Sequence, residues 1–204
     1  MISIYLSGKG GREGYPFEHF KHYFLDICHS HHEEGRALAF AFILYDFNHP
    51  EIIKTLHDQD YWKALDCISG KYLTVFSFHH FDRRSRSDDF KNSQQFIEER
   101  FGIELSKARP SVLFFQITNG QVSVPFAVEI QSETVQQAFV EIRGILSDVV
   151  DSLKEVMPEF RHNTAETFNL ITNRLWQRKA VLSLRKVLGL VGSAQELVDK
   201  LHKL

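Results

Sequence analysis

The sequence has little cysteine, little proline and almost no net charge. Its 204 residues include 2 Cys and 5 Pro, and the formal net charge is −2. Two cysteines cannot build a disulfide-stapled scaffold or a four-cysteine zinc site. A charge this close to zero gives no chain-wide basic field for nucleic acid. Apolar packing must therefore hold the fold together, and nucleic acid is not an expected partner.

The chain also lacks a long hydrophobic run. The longest one, Ala37 to Tyr45, is about half of what a membrane-spanning helix requires. The first ten residues contain neither the basic region nor the sustained apolar stretch of a secretory signal. We therefore expect a cytoplasmic protein with no membrane partner. In a reducing compartment, Cys28 and Cys67 are expected to be two small, buried apolar side chains.

Apolar residues are abundant, and phenylalanine and histidine stand out among the residue types. Hydrophobic residues make up 43% of the chain and charged residues 25%, values typical of globular proteins. The chain contains 18 Phe and 11 His. Its length suits one compact core with appendages.

Hydrophobic periodicity and turn signals predict alternating strands and helices. We expect strands at 2–6, 37–47, 71–78, 111–117 and 122–130. We expect helices at 16–34, 48–68 with a jog near 58–60, 90–101, 135–157, 164–188 and 193–201, and a polar loop at 79–89. Asn48 is the expected N-cap of the second helix, and Asn119-Gly120 is a strong hairpin signal. The order β-α-β-α-β-α-β-β-α predicts an α/β domain whose sheet is parallel with an antiparallel edge.

Three segments resemble the thioredoxin family. Arg109-Pro110, the apolar strand after it and Asn119-Gly120 are similar to the family's cis-proline, strand and Asn-Gly hairpin. Gly70 to Val75 resembles the strand before them, and the run ending at Asp46-Phe47 resembles the strand that leads to the active-site loop. The resemblance covers about residues 1–157. It implies a thioredoxin-like domain at residues 1–158, a helical extension at 159–204, and a cis bond at Pro110 close to Asn48 and His49.

The chain departs from this family at the residues that carry its chemistry. Where the family has Cys-x-x-Cys, this sequence has Asn48-His49-Pro50-Glu51. Disulfide exchange needs a thiolate at the helix start and a second thiol that resolves the mixed disulfide. Cys67 lies near the far end of the same predicted helix, where the helix dipole disfavours a thiolate. Disulfide oxidoreductase and peroxidase activities are therefore not expected.

Polar residues cluster at the predicted carboxyl ends of the strands, where open α/β sheets bind ligands. The candidates for a binding edge are Asp46, Asn48, His49, Glu51, His79, His80, Arg109 and Pro110. A catalytic His/Asp pair, such as His79 or His80 with Asp82, is an alternative to a polar rim. No nucleophile motif such as G-x-S-x-G accompanies it. The sequence indicates no catalytic residue, no metal and no cofactor.

Two further charged or polar clusters have ordinary structural explanations. His29-Ser30-His31-His32 has the composition of a metal site, but it precedes Gly35 at a helix end, where histidines satisfy the last carbonyls. Structural zinc is the alternative. Arg83-Arg84-Ser85-Arg86 is short, and nearby aspartates neutralise it, so we expect a solvated loop.

The predicted helix at 164–188 differs in charge from the rest of the chain. Residues 161–204 contain eight Lys/Arg and three Asp/Glu, a balance of +5, which leaves −7 for residues 1–160. The pairs Leu170-Ile171 and Leu175-Trp176 broaden its apolar surface beyond one narrow stripe. We therefore expect it to be buried on two sides, either across the acidic domain or against a second chain in a dimer. A basic helix that binds nucleic acid is a further alternative.

Two functions from different classes fit these observations. The first is a redox-inactive thioredoxin-like protein that acts as a protein-binding or oligomerisation module. The second is an enzyme that uses the cis-proline and helix-start edge, such as a glutathione-type transferase. In that case Tyr5, Ser7 or Tyr15 would activate the thiol. The sequence names no small-molecule ligand.

Overall fold

The structure, a computed structural model, is a mixed α/β fold around a central sheet. It describes residues 1–6, 14–45, 47–79, 86–102, 109–118, 120–123, 125–156 and 164–188, with backbone alone at 86–90, 164 and 180–188. The strands are β1 Ile2–Tyr5, β2 Tyr15–Pro16, β3 Ala39–Leu44, β4 Leu73–His79, β5 Ser111–Phe115, β6 Ile117–Thr118, β7 Gln121–Val122 and β8 Phe126–Glu129. The helices are α1 Phe17–Glu33, α2 Pro50–His57, α3 Gln59–Ser69, α4 Arg86–Phe101, α5 Val135–Lys154 and α6 Thr164–Leu188.

These elements agree with the predicted order and correct several boundaries. The helix expected at 48–68 is two helices, because the Asp58 carboxylate accepts hydrogen bonds from the amides of Asp60 and Tyr61 and caps α3. The expected loop at 79–89 ends earlier, since α4 begins at Arg86. The predicted helix at 193–201 and most of the glycine-rich stretch at 8–14 lie outside the described residues.

The two late strands are also broken where the sequence predicted continuous ones. Gln116 and Ser123 bond each other, since the Ser123 amide donates to the Gln116 carbonyl at 2.8 Å and the Gln116 amide donates to Ser123 Oγ at 2.9 Å. These bonds extend the pairing of the short β6–β7 hairpin by one position, and the hairpin forms a two-stranded sheet of its own. Gly120 turns that hairpin with φ 73°, which only glycine adopts without strain. Asn119 lies outside the described residues.

The main sheet has six strands in the order β2-β1-β4-β3-β5-β8. β1, β3 and β4 are parallel, whereas β5 is antiparallel to β3, and β8 is antiparallel to β5. Helices connect the parallel strands because a parallel neighbour can be reached only by a crossover. The predicted mixed sheet with an antiparallel edge is confirmed.

One face of the sheet is built from phenylalanine. Phe42 on β3 is fully buried, and seven other Phe rings lie with their centroids 5.1–6.4 Å from its own. These rings come from α1, α4, β4 and β5: Phe20, Phe24, Phe76, Phe78, Phe96, Phe101 and Phe115. Five of these contacts are tilted or edge-on and two are stacked, and aromatic rings attract each other in all of these arrangements. The abundance of phenylalanine is thus largely explained by the core.

The opposite face packs against α2, α3 and α5. Alternation along β3 turns Ala39, Ala41 and Ile43 away from the phenylalanine face. Thr55 of α2 donates from Oγ1 to the carbonyl of Val135 at 3.2 Å, and Tyr61 of α3 stacks on Phe139 of α5 at 4.3 Å. These contacts join the three helices into one layer.

Helix α6 packs on α5 within the same chain. Ile171 and Leu175 are buried there, whereas Leu170 and Trp176 are 38% and 57% exposed. Of the two arrangements expected for this helix, packing on its own domain is therefore present. The described part of the chain covers one face of α6 and leaves the other open, so burial of the second side stays a prediction.

The expectation that both cysteines are buried is half wrong. Cys28 is buried, but Cys67 is exposed. Leu65 and Ser69, four residues apart, form the buried side of α3, so Cys67 between them points the other way.

No helix within the described residues combines the length and the apolar character that crossing a bilayer requires.

Candidate functional site

Strand pairing brings several predicted site residues to one edge of the sheet. Tyr5 at the end of β1 lies opposite His79 at the end of β4. Ile43 pairs with Ser77 and Leu44 with Ser111, so the same registers place Tyr45 beside His79 on one side and Pro110 on the other. The Tyr45 hydroxyl donates to the Phe78 carbonyl at 2.8 Å. We call this the carboxyl edge: Tyr5, Tyr45, the segment 47–51, His79, Arg109, Pro110, and Glu129, which pairs with Ser111.

The connection from β3 to α2 at this edge contains an unusual backbone conformation. Phe47 has φ 59°, the left-handed region that bulky side chains rarely adopt. Its ring is 2% exposed and meets Tyr45 edge-on at 5.0 Å. Burial of this ring holds the strained turn in place and directs the chain into α2. Asp46, the residue before it, lies outside the described residues.

The first turn of α2 holds an imidazole–carboxylate pair. His49, not Asn48, occupies the N-cap position, because its carbonyl accepts the amides of Ile52 and Ile53, both at 3.1 Å. His49 Nδ1 is 3.1 Å from Glu51 Oε1. Pro50 begins the helix, and Glu51 lies at the positive end of the helix dipole, as predicted. The expectation that Asn48 caps this helix is wrong by one residue.

His79 is enclosed by a network that the sequence did not identify. Its Nε2 is 2.8 Å from Ser77 Oγ, and its ring stacks on His57 at 5.1 Å and meets Trp62 edge-on at 5.4 Å. Tyr5 lies 5.9 Å away. The alternation Ser77-x-His79 within one strand could have signalled that these two side chains share a face, whereas His57 and Trp62 arrive from other elements.

Burial determines the charge of this histidine network. Burial, and secondarily the charge of His57, lowers the pKa of His79 to about 3. Partial burial also lowers the pKa of His57. At neutral pH His79 is therefore an uncharged, hydrogen-bonded core residue. Because Ser77 is fully buried, the Ser77–His79 pair has no access to a solvent-borne substrate. His80 and Asp82 lie outside the described residues.

Pro110 does not have the conformation that the resemblance implied. No peptide bond within the described residues is cis, so the Arg109–Pro110 bond is trans. The Pro110 carbonyl accepts the Ile130 amide at 2.6 Å, which extends the β5–β8 ladder by one position. Arg109 Nη1 binds Glu129 Oε1 at 2.7 Å on the same strand pair.

The trans bond removes the feature on which the transferase hypothesis rested. Of the proposed thiol-activating residues, Tyr5 packs against His79, and Tyr15 stacks on His19 at 5.6 Å. Ser7 lies outside the described residues.

The histidines at the end of α1 attach that helix to the sheet. His31 Nδ1 is 3.0 Å from Thr74 Oγ1, and His32 Nδ1 is 3.1 Å from the Ala37 carbonyl. His29 pairs with Glu33 on the surface. Among the side chains that the structure describes, no three metal-binding groups converge. These contacts fit the predicted role at a helix end.

No family model, curated protein or solved structure matches this chain. The fold and site define an α/β protein whose central mixed sheet presents a polar carboxyl edge. At that edge the structure brings together His49 with Glu51 and Arg109 with Glu129, and it buries His79 beside them.

Proposed function

We propose that the chain is a redox-inactive thioredoxin-like protein that binds a protein partner at the carboxyl edge. The strand order supports the fold assignment. Without the two-residue strands β2, β6 and β7, the spatial order is β1-β4-β3-β5-β8, with the first three parallel and the last two antiparallel in turn. This is the order of a thioredoxin-like sheet: first, third, second, fourth and fifth strand.

The first turn of α2 carries the proposal of redox inactivity. His49, Pro50 and Glu51 stand where thioredoxin-like oxidoreductases have a reactive thiol. Both cysteines are elsewhere: Cys28 is buried in α1, where burial raises its pKa well above the ordinary value, and Cys67 is exposed on α3. A buried thiol with a raised pKa is a poor nucleophile.

The carboxyl edge presents charged groups of both signs, in fixed positions, to a protein partner. His49 is about one-third exposed and paired with Glu51, and Arg109 is three-quarters exposed and paired with Glu129. Paired groups keep their geometry before a partner arrives, which lowers the entropic cost of binding. Such mixed polar rims are common at protein–protein interfaces. We also expect the protein in the cytoplasm.

Site-specific photocrosslinking tests this proposal. A photoreactive phenylalanine analogue at position 49 is expected to cross-link a protein of defined mass in cells that express the chain. The matched control carries the same analogue at Glu99, an exposed position on α4. Equal cross-linking from both positions would contradict a binding edge. Measurable reduction of insulin disulfides by the purified chain would contradict redox inactivity.

A further inference from the structure

Helix α6 presents a second surface that the described part of the chain leaves uncovered. At about 100° per residue, Ile171 and Leu175 face α5, and Asn173 faces the opposite way. Leu170 and Trp176 lie about 60° to either side of Asn173. We call this surface the outer face of α6: Glu166, Asn169, Leu170, Asn173, Trp176 and Gln177, all exposed.

Trp176 is held in position although more than half of it faces solvent. Its ring meets Phe126 of β8 edge-on at 5.7 Å, and Lys179 Nζ lies 5.3 Å from the ring centre. A large aromatic side chain fixed at an exposed position is typical of residues that dominate binding interfaces. The neighbouring Leu170 enlarges the apolar surface around the same helix turn.

The outer face is complementary to itself when two copies run antiparallel. Leu170 and Trp176 are each three residues from Asn173. A two-fold axis at Asn173 therefore places Leu170 of each copy level with Trp176 of the other copy. The two Asn173 carboxamides then meet at the axis, where each has a donor and an acceptor for the other. Each copy of Arg174 lies level with Thr172, which carries no charge.

The charges favour the antiparallel direction and a second copy as the occupant. With the axis at Asn173, Glu166 lies level with position 180, beside Lys179 of the other copy, so opposite charges meet at both ends. In a parallel arrangement the two copies of Glu166, which lies within about 20° of Asn173 around the helix, would face each other, and this like-charge contact is unfavourable. This pattern suits the chain's own α6 better than a partner of one charge sign.

We propose that the outer face of α6 packs against the same face of a second copy, with the helices antiparallel and crossing at Asn173. The inference goes beyond the proposed function, and it uses a surface separate from the carboxyl edge. Partner binding at the carboxyl edge is measured by cross-linking from position 49, whereas the dimer is measured by sedimentation. Either proposal can therefore fail while the other stands.

Sedimentation of the whole 204-residue chain tests the dimer. The unsubstituted chain is expected to sediment as a dimer, and Trp176→Ala and Leu170→Ala to weaken the dimer about tenfold or more in Kd. The matched control is Val140→Ala, which trims a 63% exposed apolar residue on α5 and is expected to leave the dimer intact. Circular dichroism checks that each variant is folded. A monomer at every concentration overturns the proposal.

Cysteine cross-linking tests the direction of the helices in a Cys67→Ser background. Asn173→Cys is expected to cross-link to itself with a short bismaleimide, because its two copies meet at the axis. Asn169→Cys is expected to cross-link efficiently only when mixed with Gln177→Cys, since two copies of position 169 would lie about 12 Å apart along the helices. Efficient self-cross-linking of Asn169→Cys would indicate a parallel pair and overturn the proposed geometry.

Removal of residues 189–204 tests whether the same chain covers the outer face instead. The truncated chain is expected to remain a dimer in sedimentation. In a Trp62→Phe background, where Trp176 is the one tryptophan of the sequence, a monomer whose fluorescence becomes more accessible to a soluble quencher after this truncation would identify that segment as the occupant and overturn the dimer.

Discussion

Arg178 on α6 lies directly against Gly144 on α5. A Cβ at position 144 would be 2.9 Å from Arg178 Nη2 and 3.1 Å from Nη1. The same guanidinium donates from Nη1 to Asp148 Oδ2 at 2.5 Å. Gly144 and Asp148 are four residues apart and share one face of α5. A glycine in the middle of this helix therefore makes room for the ion pair that fastens α6 to the domain.

Replacing this glycine tests the contact between the two helices. Gly144→Ala is expected to lower the free energy of unfolding by about 1 kcal/mol, because displacement of the charge-assisted Arg178–Asp148 bond outweighs the gain in helix propensity. In an Arg178→Ala background, the same Gly144→Ala change is expected to stabilise the protein by about 1 kcal/mol. Urea unfolding of the unsubstituted chain, the two single variants and the double variant measures this double-mutant cycle. Stabilisation by Gly144→Ala in the unsubstituted chain would show that Arg178 moves aside at no cost.

The buried His79 predicts loss of stability in acid. Its pKa is about 3 in the folded chain and 6.5 as the ordinary value, so the unfolded chain binds a proton more readily than the folded one. The free energy of unfolding is therefore highest above pH 6.5 and falls as the pH is lowered toward 3. Proton uptake by His79 in the unfolded chain is expected to lower the free energy of unfolding by about 2 kcal/mol between about pH 7 and 5. Urea unfolding at several pH values measures the slope.

The control for this prediction is His79→Gln, which retains a polar side chain at that position and cannot take up a proton in this range. We expect its stability to change less over the same pH interval than that of the unsubstituted chain. Equal slopes for the two chains would show that His79 does not carry the acid dependence.

Phe42 marks the centre of the phenylalanine face. Phe42→Ala leaves a cavity among the surrounding rings and is expected to lower the free energy of unfolding by about 3–5 kcal/mol. Phe42→Leu refills most of the volume, and it is expected to lower the free energy of unfolding by clearly less. Thermal and urea unfolding measure both. A cost for Phe42→Ala below about 1 kcal/mol would mean that the rings close over the gap.

The two cysteines differ in accessibility, and their reactivity is expected to follow. Cys67 is exposed and Cys28 is buried with a raised pKa, so one thiol of the two reacts rapidly with a disulfide reagent at mildly alkaline pH. The second reacts only after denaturation. Cys67→Ser is expected to abolish the fast reaction, and a remaining fast thiol in that variant would contradict the burial of Cys28.

Local sequence signals were sufficient for most of the elements. The uninterrupted apolar run around Phe42 identified a buried central strand, because a strand covered on both faces needs no polar alternation, and the β-rich run around Val75 identified its neighbour. The helix over 164–188 was predicted, and the described residues of that range are helical throughout. Alternating helices and strands with a late hairpin then restricted the fold to a mixed sheet. These features depend on residues a few positions apart, so the sequence by itself determined them.

The candidate site and its surroundings were decided only by the tertiary structure. His57 and His79 are brought together by the packing of α2 on the sheet, and the trans bond at Pro110 is seen only in the folded chain. The exposure of Cys67 and of Trp176 depends on which helix face meets α5. Each of these outcomes depends on contacts between residues far apart in the chain. Composition and periodicity say which residues are apolar or ionisable, but only the assembled sheet and helices decide which of them meet.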